Sequence, residues 1–283
     1  IDQEESKLVI FPECSTPKHR EILFLKETSD LIAIWEGAKL SKDKAYETSG
    51  IRTVYWESQF DDIFEKLMQE VKTVYLNSNE HARSTSIVQT QTDRFNDWCK
   101  SKFSTKAFVK SAPIMHDLRA TKHSIEVDLM QHACNITEKG FRRVLKSVKP
   151  GIMEYEIEAE YMHEFLINRS KGFAYEPIIA SGRNACVLHY VDNNKVCKDG
   201  DVILMDVGAE YANYASDMTR CIPVSGKFTK RQKDVYNAVL SVMKQATSML
   251  KPGVLLGDYH KEVGLIMQSE LLGLGLIDKH DID

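Results

Sequence analysis

Lys149-Pro150-Gly151 recurs about a hundred residues later as Lys251-Pro252-Gly253, each time between a long amphipathic helix and a second helix. A cation followed by a breaker pair is a preferred helix ending. The same helix pair around the same stop points to an internal repeat. Before the first stop, Val127, Met130, Cys134, Thr137, Phe141, Val144 and Val148 recur at three- and four-residue steps and form one apolar stripe. A helix over residues 155–168 follows it. Before the second stop, Thr229-Lys230-Arg231-Gln232 reads as a capping box, and Val235, Val239, Val242, Met243 and Ala246 carry the stripe. The first copy leads to a strand pair beginning at Val202. The same spacing in the second copy falls beyond Asp283, so the repeat predicts a second half that this chain lacks.

The part before these helices reads as mixed α/β. Residues 8–11 and 22–25 have strand composition, and residues 31–35 are expected to form a third strand closed by Glu36-Gly37. Phe60, Ile63, Phe64, Leu67 and Val71 have helical spacing, and residues 74–76 form another short strand. Periodicity fades over residues 101–112 and Pro113 follows, which places a domain boundary there: 1–112, then 113–283. In the second domain residues 178–180 and 187–190 look strand-like. Asp199-Gly200 is a turn signal, and residues 202–224 read as two strands.

Charge and cysteine usage narrow the function. A net charge of −4 gives no electrostatic footprint for nucleic acid or anionic lipid. No apolar run approaches the roughly 18–20 residues of a membrane span. Cys14, Cys99, Cys134, Cys186, Cys197 and Cys221 contain no C-x-x-C pair, which suits free thiols in the reducing cytoplasm. The chain begins with Ile1 rather than Met, so its true start is expected to lie upstream, and a removed signal peptide stays open.

Two features carry chemistry. A hairpin over 202–224 with its turn at Tyr211-Ala212 puts Asp206 directly opposite Asp217. Opposed carboxylates destabilise a ladder unless a cation lies between them or they share a proton. Hard divalent cations are a common answer. A splayed, solvated pair in a different register is the competing reading. Asp206 ends an apolar run, and Gly208 and Ala215 leave room beside it. His189, in Val187-Leu188-His189-Tyr190, could polarise a carbonyl, shuttle a proton or bind metal. Alternatively it is a histidine satisfied by a backbone carbonyl. No phosphate loop or nucleophile elbow is present.

Taken together, these segments resemble the Xaa-Pro aminopeptidase branch of the pita-bread metallopeptidases. Phe173-Ala174-Tyr175 through Ser181-Gly182-Arg183-Asn184-Ala185 to Leu188-His189-Tyr190 is similar to the family's substrate segment. Leu204-Met205-Asp206-Val207-Gly208 with Ser216-Asp217-Met218-Thr219-Arg220 resembles its first metal-ligand hairpin. Leu118-Arg119 through Lys122 to Glu126 resembles the entry to the catalytic domain, and the part with Trp35-Glu36-Gly37 its non-catalytic α/β domain. The resemblance implies a creatinase/prolidase-like α/β domain followed by a truncated α+β pita-bread domain. It implies that Asp206 binds one of two divalent metal ions, commonly Mn²⁺, and that Asp217 bridges both. A hydroxide held between them would attack the scissile carbonyl. His189 would be a catalytic and substrate-binding residue and Tyr175 would line the same site. The substrates would be peptides with proline in second position, and the protein a homo-oligomer.

The chain departs from the family in lacking the His and two Glu ligands that complete the site, and the first strand region of the α/β domain. His123-Ser124 stands where relatives often have Ser-Pro. The fragment alone is therefore expected to be inactive. Prolidase, on the same scaffold, is the alternative enzyme. A non-catalytic interaction module is the alternative if the chain is complete.

Overall fold

In a computed structural model that describes residues 3–80 and 87–282, the chain divides into two units, Ile1–Thr121 and Lys122–Asp283. In the first, β1 (Lys7–Ile10), β2 (Glu21–Leu25) and β3 (Thr53–Trp56) form a sheet with β2 in the middle, antiparallel to β1 and parallel to β3. Ile22, Leu23, Phe24 and Leu25 are all buried, which explains the unbroken apolar run. Helices α1 (Asp30–Glu36) and α2 (Lys42–Ser49) lie between β2 and β3 in sequence. Helix α3 (Phe60–Glu70) turns Phe60, Phe64, Leu67 and Met68 into a core shared with Ile22, Phe24 and Cys99. Strand β4 (Thr73–Leu76), α4 (Gln91–Lys102) and β5 (Ala107–Lys110) form a parallel strand pair with its connecting helix, and α5 (Ala112–Ala120) closes the unit.

Residues 31–35 are helical, not a strand. The Ser29 hydroxyl accepts from the Ile32 amide at 3.2 Å, Asp30 sits in the first turn, and Gly37 at φ 80° ends the helix. A short apolar run is ambiguous between strand and helix. Here Leu31, Ile34 and Trp35 are 66%, 77% and 82% exposed, so no sheet neighbour competes with the cap.

The second unit opens with α6 (Ser124–Ser147) and α7 (Glu154–Ile167). They pack closely at Gly140, where a Cβ would lie 2.7 Å from the Tyr161 ring. The strands follow: β6 (Gly172–Phe173), β7 (Ile178–Ser181), β8 (Val202–Val207), β9 (Ala209–Tyr211), β10 (Tyr214–Ala215) and β11 (Met218–Pro223). They form two antiparallel three-stranded sheets, ordered β10-β9-β6 and β11-β8-β7. Ile179, Ile203, Met205 and Val207 meet Ile136, Val144, Ile157, Tyr161 and Phe165 of the helices in one core. Helices α8 (Lys230–Met249) and α9 (Leu256–Gly273) form the second pair. Thr229 and Gln232 make the reciprocal bonds of the capping box. Gly151 and Gly253 follow the two stops at φ 94° and 89°, so the repeated tripeptide makes the same turn twice.

Residues 187–190 form no strand. Strand β7 ends at Ser181, Gly182 turns at φ 56°, and a 3-10 turn over Gly182–Cys186 leads into irregular chain. Val187 and Leu188 are exposed there and find no ladder partner.

Candidate functional site

The hairpin that carries both aspartates turns at Ala212-Asn213, not at Tyr211-Ala212. Both turn residues have positive φ, 51° and 66°, as a type I′ turn requires. Tyr211 therefore pairs with Tyr214, Val207 with Met218, and Asp206 with Thr219 rather than Asp217. The slip is two residues. Side chains alternate faces along a strand, so a one-residue slip would have inverted the face, whereas two residues preserve it.

The ladder is interrupted at one level, between β8 and β9 on one side and β10 and β11 on the other. Gly208 lies at that interruption, where a Cβ would fall 1.9 Å from the Ser216 carbonyl oxygen, so no larger residue fits without movement. Ser216 is 3% exposed. Its amide donates to the Ala209 carbonyl at 3.0 Å. The Ala209 amide in turn lies 2.9 Å from both the Ser216 and the Thr137 hydroxyls, which are 2.7 Å apart. Thr137 belongs to α6, so this buried knot fixes the hairpin neck to the long helix and sets the place of Asp217.

Across from Gly208, the Ala174 amide donates to its carbonyl at 2.8 Å. Tyr175 follows, and its hydroxyl lies 2.7 Å from Asp206 Oδ1 and 3.3 Å from Asp217 Oδ1. A phenol has one proton, so the shorter contact takes it. Burial first, then the Asp206 and Asp217 carboxylates, push this phenol well above the usual range, so it serves as a neutral donor. The structure thus brings Tyr175, Asp206 and Asp217 together. Two carboxylate oxygens around one hydroxyl suit a hard divalent cation, but they fit only part of its shell. Among the described residues no group of three or more His, Cys, Asp or Glu gathers to complete it.

His189 stands apart from this trio, exposed, with left-handed backbone at φ 57° and no hydrogen bond to it. Such a φ is uncommon outside glycine. The segment around it is fastened by a residue that sequence reasoning missed. Glu154, at the start of α7, is fully buried. Its Oε1 accepts from the Ser181 amide at 2.8 Å, the Ser181 hydroxyl at 2.7 Å and Asn184 Nδ2 at 3.5 Å. Its Oε2 accepts from the Tyr190 hydroxyl at 2.7 Å and the Lys195 amide at 3.0 Å. Burial alone would raise its pKa, but the bonds from Ser181, Lys195 and Tyr190 outweigh that and hold it below the ordinary glutamate value. Tyr190 is pushed up to about 12 by burial and by this carboxylate. The only sequence signal was an acid in a first helical turn, which ordinarily reflects the helix dipole alone.

Residues 128–281, more than half of the chain, match the model of metallopeptidase family M24. The chain belongs to metallopeptidase family M24. Residues 1–75 match the aminopeptidase P N-terminal domain. The architecture of this M24 chain is accordingly an α/β aminopeptidase P-type N-terminal domain followed by an α+β pita-bread domain. It is 31% identical over 284 residues to the Xaa-Pro aminopeptidase of Escherichia coli K12, a match covering 100% of this chain and 64% of that protein. A putative aminopeptidase P from Bacillus anthracis superposes with a TM-score of 0.86 at 30% identity, covering 92% of this chain and 62% of the other. Zn-substituted E. coli aminopeptidase P in complex with product gives 0.85 at 30% identity, covering 98% and 63%. The M24 chain thus spans less than two thirds of the relatives it matches. No described helix is long and apolar enough to cross a membrane.

Proposed function

We propose that this chain supplies the first metal ligands and the substrate segment of a cytoplasmic Xaa-Pro aminopeptidase, which releases the N-terminal residue from peptides with proline in second position. The observation that carries the proposal is the convergence of Asp206 and Asp217 on the Tyr175 hydroxyl, in a family of metallopeptidases. Asp206 and Asp217 would hold the two divalent cations, Mn²⁺ in the cell, with the Asp217 carboxylate serving both. When bound, such ions acidify a water and stabilise the charge that develops on the carbonyl oxygen. Tyr175 keeps its proton and orients Asp206. His189, exposed beside this segment, donates to the substrate near the scissile bond. Peptides reach it from solvent, and the free thiols suit a reducing compartment. Further ligands come from outside the described residues, so the 283 residues by themselves hydrolyse no peptide.

Metal analysis and turnover of an Xaa-Pro-Xaa tripeptide by the complete natural protein test this together. Asp217→Asn is expected to lose both metals and all activity, because one carboxylate serves both ions. Two metals retained per chain would refute the bridging role. Turnover by the isolated 283-residue chain at the rate of the complete protein would refute the shared site. A dipeptide Xaa-Pro cleaved in preference to the tripeptide would turn the assignment to prolidase.

A further inference from the structure

We infer that Glu154 is the positioning residue for His189: one buried carboxylate staples both ends of the segment that presents the histidine. Its two oxygens have different duties. Oε1 holds the entrance of the segment through Ser181 and Asn184, and Oε2 holds its exit through Tyr190 and Lys195. Tyr190 is the neighbour of His189, so the staple acts one residue from the ring. The Glu154 amide also donates to the Lys195 carbonyl at 3.0 Å, which draws the exit of the segment onto the start of α7.

The segment needs such fastening. His189 and Asn193 both have left-handed backbone, at φ 57° and 42°. Conformations of this kind persist only where the surroundings over-determine them. Asn193 contributes a second tie, accepting from the Ile179 amide at 2.9 Å and donating to the Pro177 carbonyl at 2.9 Å. Glu154 supplies the tie nearest the histidine. All the groups facing it are donors, so only a group with two acceptor oxygens satisfies both ends. An amide in its place would set an NH₂ against donors at one end or the other.

This inference rests on the role proposed above for His189, and its test separates the two. In the complete, metal-loaded protein, Glu154→Gln is expected to lower kcat for an Xaa-Pro-Xaa tripeptide by about 10²-fold, the cost of misplacing a donor, while metal content stays at the wild-type level. In the double variant with His189→Ala, kcat should equal that of His189→Ala alone, because Glu154 acts through the histidine. Losses that multiply would overturn the proposal. Amide hydrogen exchange on the same protein supplies a readout independent of activity. Residues 182–195 should exchange faster in Glu154→Gln while α6 is unchanged; uniform acceleration across the unit would mean a merely structural role and overturn it. If Glu154→Gln does not fold, Tyr190→Phe removes a single bond to Oε2 and is expected to lower kcat with an unchanged melting temperature; wild-type kcat in that variant would refute the staple. Normal turnover by His189→Ala with faster exchange in Glu154→Gln would sink the histidine's role while leaving the staple in place.

Discussion

At the scale of single residues, Gly208 is the glycine with the least room for a side chain. A methyl group there meets the Ser216 carbonyl oxygen at 1.9 Å, and Ser216, whose amide and hydroxyl are tied to Ala209 and to Thr137 of α6, does not yield cheaply. Gly208→Ala is therefore expected to cost about 3 kcal/mol, at the upper end for overpacking, and to lower metal occupancy by displacing Asp217. A urea midpoint within error of wild type would contradict this. His189→Ala should behave oppositely. It is exposed and makes no bond to the core, so melting temperature and metal content should hold while turnover falls about 10²–10³-fold, as for loss of one transition-state donor. Asp206, Asp217 and His189 stood out in the sequence because charged or titratable side chains beside apolar runs demand an explanation. Glu154 did not. Its partners Ser181, Tyr190 and Lys195 lie 27 to 41 residues further along the chain, and nothing in a linear pattern shows that one carboxylate faces them all.

Among the elements, the long helices were legible because α6 repeats its apolar spacing over 24 residues and ends at a clear stop. Residues 31–35 were not, because five apolar residues without a second turn carry no period. The hairpin shows an intermediate case. Its strands were evident, but its turn was not, since Ala212 is an unfavourable residue for positive φ and masks the type I′ signal that Asn213 alone carries. The same mismatch offers a stability test. Ala212→Asn with Asn213→Gly gives the turn its preferred pair, with an expected gain of about 1 kcal/mol in the second unit and no change of register. A loss of stability, read by chemical denaturation, would show that the turn is not type I′.

For the whole molecule, the hydrophobic cores divide as the chain does. The cluster around Phe24, Phe60 and Phe64 and the cluster around Ile136, Tyr161 and Met205 draw on different units. Unfolding is expected to proceed in two steps, and a single calorimetric transition with equal van't Hoff and calorimetric enthalpies would exclude that. The step that unfolds the second unit should depend on acid in a defined direction. The Glu154 pKa is lowered on folding, so below its unfolded value of about 4.3 the unfolded state binds more protons. The stability from this group is complete above that pH and is lost as pH falls through the folded value. Glu154→Gln should flatten that part of the curve, and parallel pH profiles for variant and wild type would show that the carboxylate is not stabilised in the fold.

The division into units also decides what light can report. Trp35, Trp56 and Trp98 are the three tryptophans, and all lie within Ile1–Thr121. The unit that carries Tyr175, His189, Asp206 and Asp217 contains none. All indole emission therefore originates in the first unit, and a fluorescence melt carries no tryptophan signal from within the unit that holds the site. A tryptophan placed at Tyr236, whose ring lies tilted against Phe228 with centroids 5.0 Å apart, would give the second unit an optical signal of its own.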